Sequence, residues 1–154
     1  MTDIATEATP RGDVRVDFYV LEMTGLDSQL NFACRLAEKA YKQGSIVYAH
    51  TMSQPVASRF DDMLWSFRQG SFVPHQVLGD STVSSPVCIG TDSSVLESGE
   101  VLLNLAEDAP PFAQRFTRIA EIVTADPEAT TAGRRRFKHY RELGFSPETH
   151  RIGQ

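Results

Sequence analysis

The sequence predicts a three-layer α/β/α domain, with helices on both faces of a central sheet that is largely parallel or mixed. A strand, helix, strand succession near the N-terminus, short apolar strand candidates in the second half and a well-bounded last helix together predict this class. The chain has 154 residues, 41% of them hydrophobic, which suffices for one buried core. We therefore expect a single domain over residues 14–154, preceded by a flexible polar leader at residues 1–13.

The first half predicts two parallel strands joined by a helix. Residues 14–20 (VRVDFYV) alternate as a strand does, and residues 45–50 (SIVYAH) form a second, buried strand. Between them, Asp27 is the predicted N-cap of a helix that ends before Gly44. The helix places five side chains on one face at helical spacing: Leu30, Ala33, Cys34, Ala37 and Tyr41.

Further elements follow in the second half. Ser53 is the predicted N-cap of a helix over residues 54–66, whose Pro55 lies in the first turn, where proline is tolerated. Strands are predicted at residues 86–90, 100–105 and 116–125, the last being ambiguous between strand and helix and favoured as a strand.

The last helix has marked boundaries. Asp126 is its predicted N-cap, Pro127 its first residue and Gly144 the residue that ends it.

Motifs of nucleotide enzymes are missing from this Rossmann-like pattern. The segment after the first strand offers a single glycine, Gly25, and no G-x-x-x-x-G-K-[ST] or G-x-S-x-G motif occurs. We therefore expect no nucleotide-binding glycine loop, no cofactor and no catalytic residue. A small α/β enzyme remains the weaker alternative.

Metal and redox chemistry are also not expected. Two cysteines, Cys34 and Cys88, lie in apolar surroundings and are predicted to be reduced core residues. The four histidines, His50, His75, His139 and His150, show no ligand spacing, so no metal site is predicted. Asp61 and Asp62 point about 100° apart on a helix, as expected of a solvated face.

The charge is unevenly distributed. Residues 134–154 hold six Lys or Arg and two acids, whereas the chain as a whole has a formal net charge of −5. A protein that grips nucleic acid along a broad face is normally basic over the whole domain. The polar, acidic N-terminus and the lack of a long apolar run predict a cytoplasmic protein without a membrane partner.

Two surface features are candidate binding sites. Wrapped on a helix, Arg134, Phe137, Lys138 and Arg141 share one stripe, and Arg136, Tyr140 and Leu143 share another. The first stripe suits a ligand that is both acidic and hydrophobic, such as a peptide end, with the phosphates of a nucleic acid as the competitor. The second feature is a cluster of three aromatic side chains at a helix end and in the loop after it: Trp65, Phe67 and Phe72. They either cover the edge of the core or bind a partner.

These segments resemble the chi subunit family of bacterial DNA polymerase III holoenzyme, a clamp-loader accessory family. The resemblance runs from about Asp17 to Phe145 and is most specific in "SFVPH" (71–75) combined with "RRRFKHYRELGF" (134–145). Weaker segments are "FYVL", "ACRLAEKAYKQG", "LLNL" and "RFTRIAEIV". The resemblance implies a non-catalytic replication subunit with a central sheet between helices.

The resemblance also implies partners and site residues. The acidic, phenylalanine-ending C-terminal tail of single-stranded DNA-binding protein is expected at Val123, Arg134, Phe137, Lys138 and Arg141. The psi subunit of the clamp loader is expected at Trp65 and Phe72, with Pro74 and His75 supporting that loop. An accessory helicase is implied as a competitor for the aromatic face.

Three departures from the family pattern stand out. The leader is longer than expected, Phe137 stands where tyrosine is expected, and the end, SPETHRIGQ, lacks apolar residues that would finish the tail pocket. A lower tail affinity is therefore expected. The interpretation is an adaptor between psi and single-stranded DNA-binding protein, without direct nucleic-acid binding. The alternatives are a module that binds single-stranded nucleic acid directly, or a partner of an accessory helicase in DNA repair.

Overall fold

The computed structural model describes residues 14–79 and 82–153. They form a seven-stranded sheet with two helices on one face and one on the other. The strands are β1 (Arg15–Leu21), β2 (Val47–His50), β3 (His75–Val77), β4 (Val87–Gly90), β5 (Gly99–Asn104), β6 (Phe116–Val123) and β7 (Glu148–Ile152). The helices are α1 (Leu26–Lys42), α2 (Gln54–Ser66) and α3 (Pro127–Glu142), with a short 3₁₀ turn at Ala113–Arg115.

The sheet order is β3-β4-β2-β5-β6-β1-β7, and all its strand pairs are parallel. The predicted α/β/α class is therefore confirmed, and the sheet is parallel rather than mixed. Helices α1 and α2 cover one face through apolar residues such as Leu30, Phe60 and Leu64. Helix α3 covers part of the other face, where Tyr140 packs among strand residues.

The predicted elements are confirmed with small shifts at their ends. The ambiguous segment 116–125 is a strand, since β6 is central and its residues Ile119–Val123 are buried on both faces. Gly44 and Gly144 follow α1 and α3 with φ of 84° and 98°, a backbone conformation that glycine favours at a helix end. The predicted leader lies outside the described residues.

One helix boundary was predicted wrongly. Helix α1 begins at Leu26 with Gly25 as its N-cap, so Asp27 lies inside the first turn. Its carboxylate instead accepts two hydrogen bonds from the Arg59 guanidinium on α2, at 3.1 and 2.8 Å. Ser53 and Asp126 occupy the predicted N-cap positions, although neither side chain bonds to its own helix.

Two strands were not predicted. β3 was assigned to a loop, and β7 falls in the polar end SPETHRIGQ. Each pairs with one neighbour, β3 with β4 and β7 with β1. They form the two edges of the sheet, where one side of a strand faces solvent and polar composition is tolerated.

Candidate functional site

A cleft of about 1080 Å³ opens beside α3, over the β7 edge of the sheet. We call it the basic cleft. Its floor comes from β1, β6 and β7, and α3 forms a wall. The residues that line it are Phe18, Val20, Leu21, Glu22, Val123, Thr124, Ala125, Thr130, Gly133, Arg134, Phe137, Lys138, Arg141, Glu142, Thr149 and Arg151.

The structure brings together the residues predicted for tail binding. Arg134, Phe137, Lys138 and Arg141 form one stripe of α3 and line the basic cleft, as their spacing predicted. Val123, from β6, lies on the floor. One wall of the cleft is therefore cationic and its floor is largely apolar.

The position of α3 depends on a close approach to the sheet. A Cβ on Gly133 would lie 2.9 Å from Cγ2 of Val123, so only glycine lets the helix backbone come this near to β6. Further along, the ring of Phe137 packs on Phe18 of β1, with ring centroids 5.1 Å apart. These contacts hold the stripe over the cleft floor.

The cations of the stripe have no ion-pair partner within the described part of the chain. No carboxylate of residues 14–79 or 82–153 lies within 4.0 Å of Arg134, Lys138 or Arg141. Two acids, Glu22 and Glu142, also line the cleft. Four cations line the cleft, the three of the stripe and Arg151, and they outnumber these two acids. The cleft therefore favours an anionic ligand.

The remaining arginines of the same segment are paired. The exposed Arg135 donates to Asp108 at 3.0 Å. The buried Arg136 donates from Nε to Glu121 at 2.7 Å and to the carbonyl of Glu107 at 2.7 Å. Segment 134–141 contains no acid, yet residues far away in sequence neutralise two of its cations.

Glu121 is fully buried at the centre of a polar network. Besides Arg136, its carboxylate accepts hydrogen bonds from Asn104 at 2.9 Å and from the Tyr140 hydroxyl at 2.6 Å. Burial, followed by the neighbouring Glu121 charge, raises the pKa of Tyr140 well above its ordinary value, so this phenol stays a donor. The network fastens α3 to β5 and β6 behind the basic cleft.

A second exposed feature lies at the other edge of the sheet. Trp65, at the end of α2, is 58% exposed and Phe72 is 63% exposed, and their ring centroids lie 5.9 Å apart. Together with Pro74 and His75 we call them the aromatic surface. Phe67, by contrast, is partly buried and packs on the core.

His75 supports the exposed tryptophan from below. Its ring lies 4.6 Å from that of Trp65, and its side chain is fully buried. Nδ1–H donates to the carbonyl of Val73 at 2.6 Å, while Nε2 lies 3.1 Å from Oδ1 of Asp61 without hydrogen-bond alignment. Asp61 therefore faces a histidine and is half-buried, whereas Asp62 is exposed. The solvated position that was predicted for both is found only for Asp62.

A network around a second buried histidine, His50, was missed by sequence reasoning. Nε2–H of the buried His50 donates to Asp92 at 3.1 Å, because a carboxylate only accepts, and Nδ1 then accepts from the Tyr48 hydroxyl at 2.8 Å. Burial lowers the pKa of His50 below its ordinary value of 6.5, and the Asp92 charge opposes this in part. No sequence signal joins residues 42 positions apart.

Two buried cysteines and one cluster of ligand-type side chains lie elsewhere in the fold. Cys34 and Cys88 are free and buried as predicted, and burial raises the pKa of Cys34 to about 12. Asp17, Glu148 and His150 converge within 4.8 Å. However, the Asp17 carboxylate already accepts from Arg15 at 2.9 Å and from His150 at 2.8 Å. Arg15 and Arg118, the latter with Nε 3.6 Å from the carboxylate, balance its charge.

In the described residues, no helix combines the length and apolar character that a membrane crossing requires.

A likeness to a solved structure concerns the fold alone: S. cerevisiae Dbp5 bound to RNA and ADP BeF3 matches with a TM-score of 0.61 at 14% identity. The match covers 99% of this chain and 45% of the Dbp5 chain.

Sequence relatives identify the family. The model of the family described as "DNA polymerase III chi subunit, HolC" matches residues 14–148. DNA polymerase III subunit chi of Pseudomonas aeruginosa is 40% identical over 90% of this chain and 96% of its own length. The subunit of Haemophilus influenzae is 30% identical over 88% and 96%, and that of Escherichia coli 28% over 86% and 94%. The chain therefore belongs to the family of DNA polymerase III chi subunits, which are accessory subunits of DNA replication.

Proposed function

We propose that this chain is a replication adaptor that binds the acidic C-terminal tail of single-stranded DNA-binding protein in the basic cleft. The observation that carries the proposal is the stripe of three cations beside a largely apolar floor, none of them paired with a carboxylate of residues 14–79 or 82–153. Arg134, Lys138 and Arg141 supply charge-assisted hydrogen bonds to aspartates and a terminal carboxylate. Phe137 and Val123 supply apolar contact for a phenylalanine ring.

Phe137 replaces the tyrosine expected from the family resemblance, and its position retains the apolar contact that the tyrosine ring would make. The ring packs on Phe18 and lines the cleft, so its apolar contact with a ligand needs no hydroxyl. A hydrogen bond from a tyrosine hydroxyl to the tail is absent, which removes roughly 0.5 to 1.5 kcal/mol of binding free energy.

Fluorescence anisotropy of a labelled, aspartate-rich peptide ending in phenylalanine tests the proposal. We expect Arg134→Ala and Lys138→Ala each to weaken binding roughly tenfold, since each removes a charge-assisted hydrogen bond. Arg135→Ala is the matched control, because Arg135 lies on the same helix outside the stripe and pairs with Asp108. Affinity should also fall with added salt.

Two results would contradict this assignment. Equal affinities for wild type and both stripe variants would remove the cleft as the binding site. Tight binding of a single-stranded oligonucleotide with a steep salt slope, in the absence of any protein partner, would instead support a direct nucleic-acid-binding module.

We further propose that the aromatic surface binds the psi subunit. Trp65 and Phe72 expose large apolar rings next to each other, and buried His75 fixes the tryptophan from beneath. Rigid exposed aromatic rings are typical of residues that dominate protein interfaces. An accessory helicase competing for the same rings is part of this proposal.

Co-purification of tagged wild-type protein with psi from native extract tests the aromatic surface. Trp65→Ala should abolish co-purification of psi and leave the affinity of the tail peptide unchanged, because the two surfaces lie at opposite edges of the sheet. Met52→Ala, which also removes an exposed apolar side chain, is the control. Recovery of psi with the Trp65→Ala variant at wild-type levels would refute the assignment.

A further inference from the structure

The sequence end SPETHRIGQ contributes an edge strand to the basic cleft. In β7, alternate side chains point to opposite faces of the sheet. Thr149 and Arg151 line the cleft, whereas His150 faces the other way. There, its ring stacks on Tyr19 with centroids 5.1 Å apart and donates to Asp17. The edge strand is thus anchored from the face opposite the cleft.

The strand register places Arg151 at a defined level of the cleft. Val20 of β1 is the direct neighbour of Val123 on one side and of Arg151 on the other. The three side chains therefore form one row across the floor. Arg151 is exposed, and no carboxylate of the described ranges lies within 4.0 Å of it.

Arg134 reaches the same level from the helix. It directly follows Gly133, which packs on Val123. Lys138 and Arg141 lie about one and two turns further along α3, toward the amino ends of the strands. Two arginines, one on the helix wall and one on the strand at the sheet edge, thus flank one end of the cleft.

We infer that Arg151, with Arg134, binds the terminal α-carboxylate of the peptide in the basic cleft; the inference rests on the proposed function. A terminal aromatic ring that packs on Phe137 and Val123 lies beside the row of Val20 and carries its α-carboxylate only a few bonds away. The cations beside the row of Val20 are therefore the ones within its reach. Lys138 and Arg141 take the side-chain carboxylates upstream, so the peptide runs from Arg141 to Arg134 along α3.

This assignment changes the role of the polar C-terminal segment. The sequence suggested that SPETHRIGQ weakens the tail pocket, since it lacks apolar residues. In the structure it adds a guanidinium opposite the cationic helix wall. A planar guanidinium binds a carboxylate through two parallel hydrogen bonds, which fixes the orientation of the carboxylate as well as balancing its charge.

The experiment compares two forms of the labelled aspartate-rich peptide ending in phenylalanine, one with a free C-terminal carboxylate and one with a C-terminal amide. Arg151→Ala should weaken binding of the free-carboxylate peptide roughly threefold to tenfold, as expected for a partly exposed charged contact. It should leave binding of the amide nearly unchanged. Lys138→Ala should weaken both forms by the same factor.

Arg35→Ala is the matched control for net charge. Arg35 is exposed on α1, which packs on the opposite face of the sheet, so its removal changes the total charge equally without touching the cleft. Arg151→Lys should recover part of the preference for the free carboxylate.

The outcomes separate the two proposals. If wild type binds neither peptide, the proposed function fails and this inference falls with it. If wild type binds and Arg134→Ala weakens binding, but Arg151→Ala affects both peptide forms equally or neither, only the assignment of Arg151 is overturned.

Discussion

Arg134, Arg135 and Arg136 are adjacent in sequence and have three different environments. Arg134 lines the basic cleft, Arg135 pairs on the surface with Asp108, and Arg136 is buried against Glu121. Helical spacing of about 100° per residue separates them in direction, which the sequence does predict. The partner of Arg135 lies 27 residues away in sequence and that of Arg136 lies 15 residues away, so both pairs are visible only in the fold.

The difference between Arg135 and Arg136 is testable through stability. Arg136→Met should lower the free energy of unfolding by roughly 3 to 5 kcal/mol, because it leaves the Glu121 carboxylate buried without its cation. Arg135→Met should cost about 1 kcal/mol or less, since its pair is exposed to solvent. Urea denaturation followed by circular dichroism measures both.

A second variant separates charge from packing. Adding Glu121→Gln to Arg136→Met removes the buried charge and should recover part of the lost stability, because the glutamine side-chain carbonyl still accepts from Tyr140. Equal losses for Arg135→Met and Arg136→Met would show that the buried pair has no special weight.

At the scale of elements, strands with strong apolar patterns were predictable and edge strands were not. Residues 116–125 were ambiguous between strand and helix and were favoured as a strand, and the Ile and Val content of β6 is that of a strand buried on both faces. β3 and β7 are short and polar, and pairing with a single neighbour stabilises them. Composition alone carries no signal for such strands, so the floor contribution of Thr149 and Arg151 could not be foreseen.

The loop after β4 is attached to β2 through a histidine. His50 of β2 donates to Asp92 in this loop and accepts from Tyr48, and the ring of Phe112 packs on it at 5.6 Å. Because the pKa of His50 is lowered in the folded protein, the unfolded chain binds a proton more readily. Its contribution to stability is complete above the unfolded pKa of 6.5 and is lost as the pH falls toward the folded pKa.

Urea denaturation at about pH 7.5 and about pH 5.5 should therefore show a lower free energy of unfolding at the acidic pH. His50→Gln should reduce this difference, since the neutral amide does not titrate. His139→Gln, at an exposed position, should leave the difference as in wild type. A pH difference that is the same in His50→Gln and wild type would contradict this role for His50.

For the whole molecule, the sequence predicted the architecture and the helical stripe of the basic cleft, but not where the two surfaces lie in the fold. The parallel α/β class and the helical stripe of Arg134, Phe137, Lys138 and Arg141 follow from local patterns. Strand order depends on which strands pair across long stretches of chain, and no local pattern encodes it. The structure places the aromatic surface beside β3 and the basic cleft beside β7, the first and last strands of the sheet.

The strand order has a geometric consequence. Strands in a sheet lie about 4.8 Å apart, so six steps separate the two edges by about 29 Å, which leaves room for a partner on each. Neighbouring strands also rotate by about 20 to 25° each, which over six steps amounts to about 120 to 150°. Partners bound at the two edges would therefore lie far apart, beside strands whose directions differ by this angle.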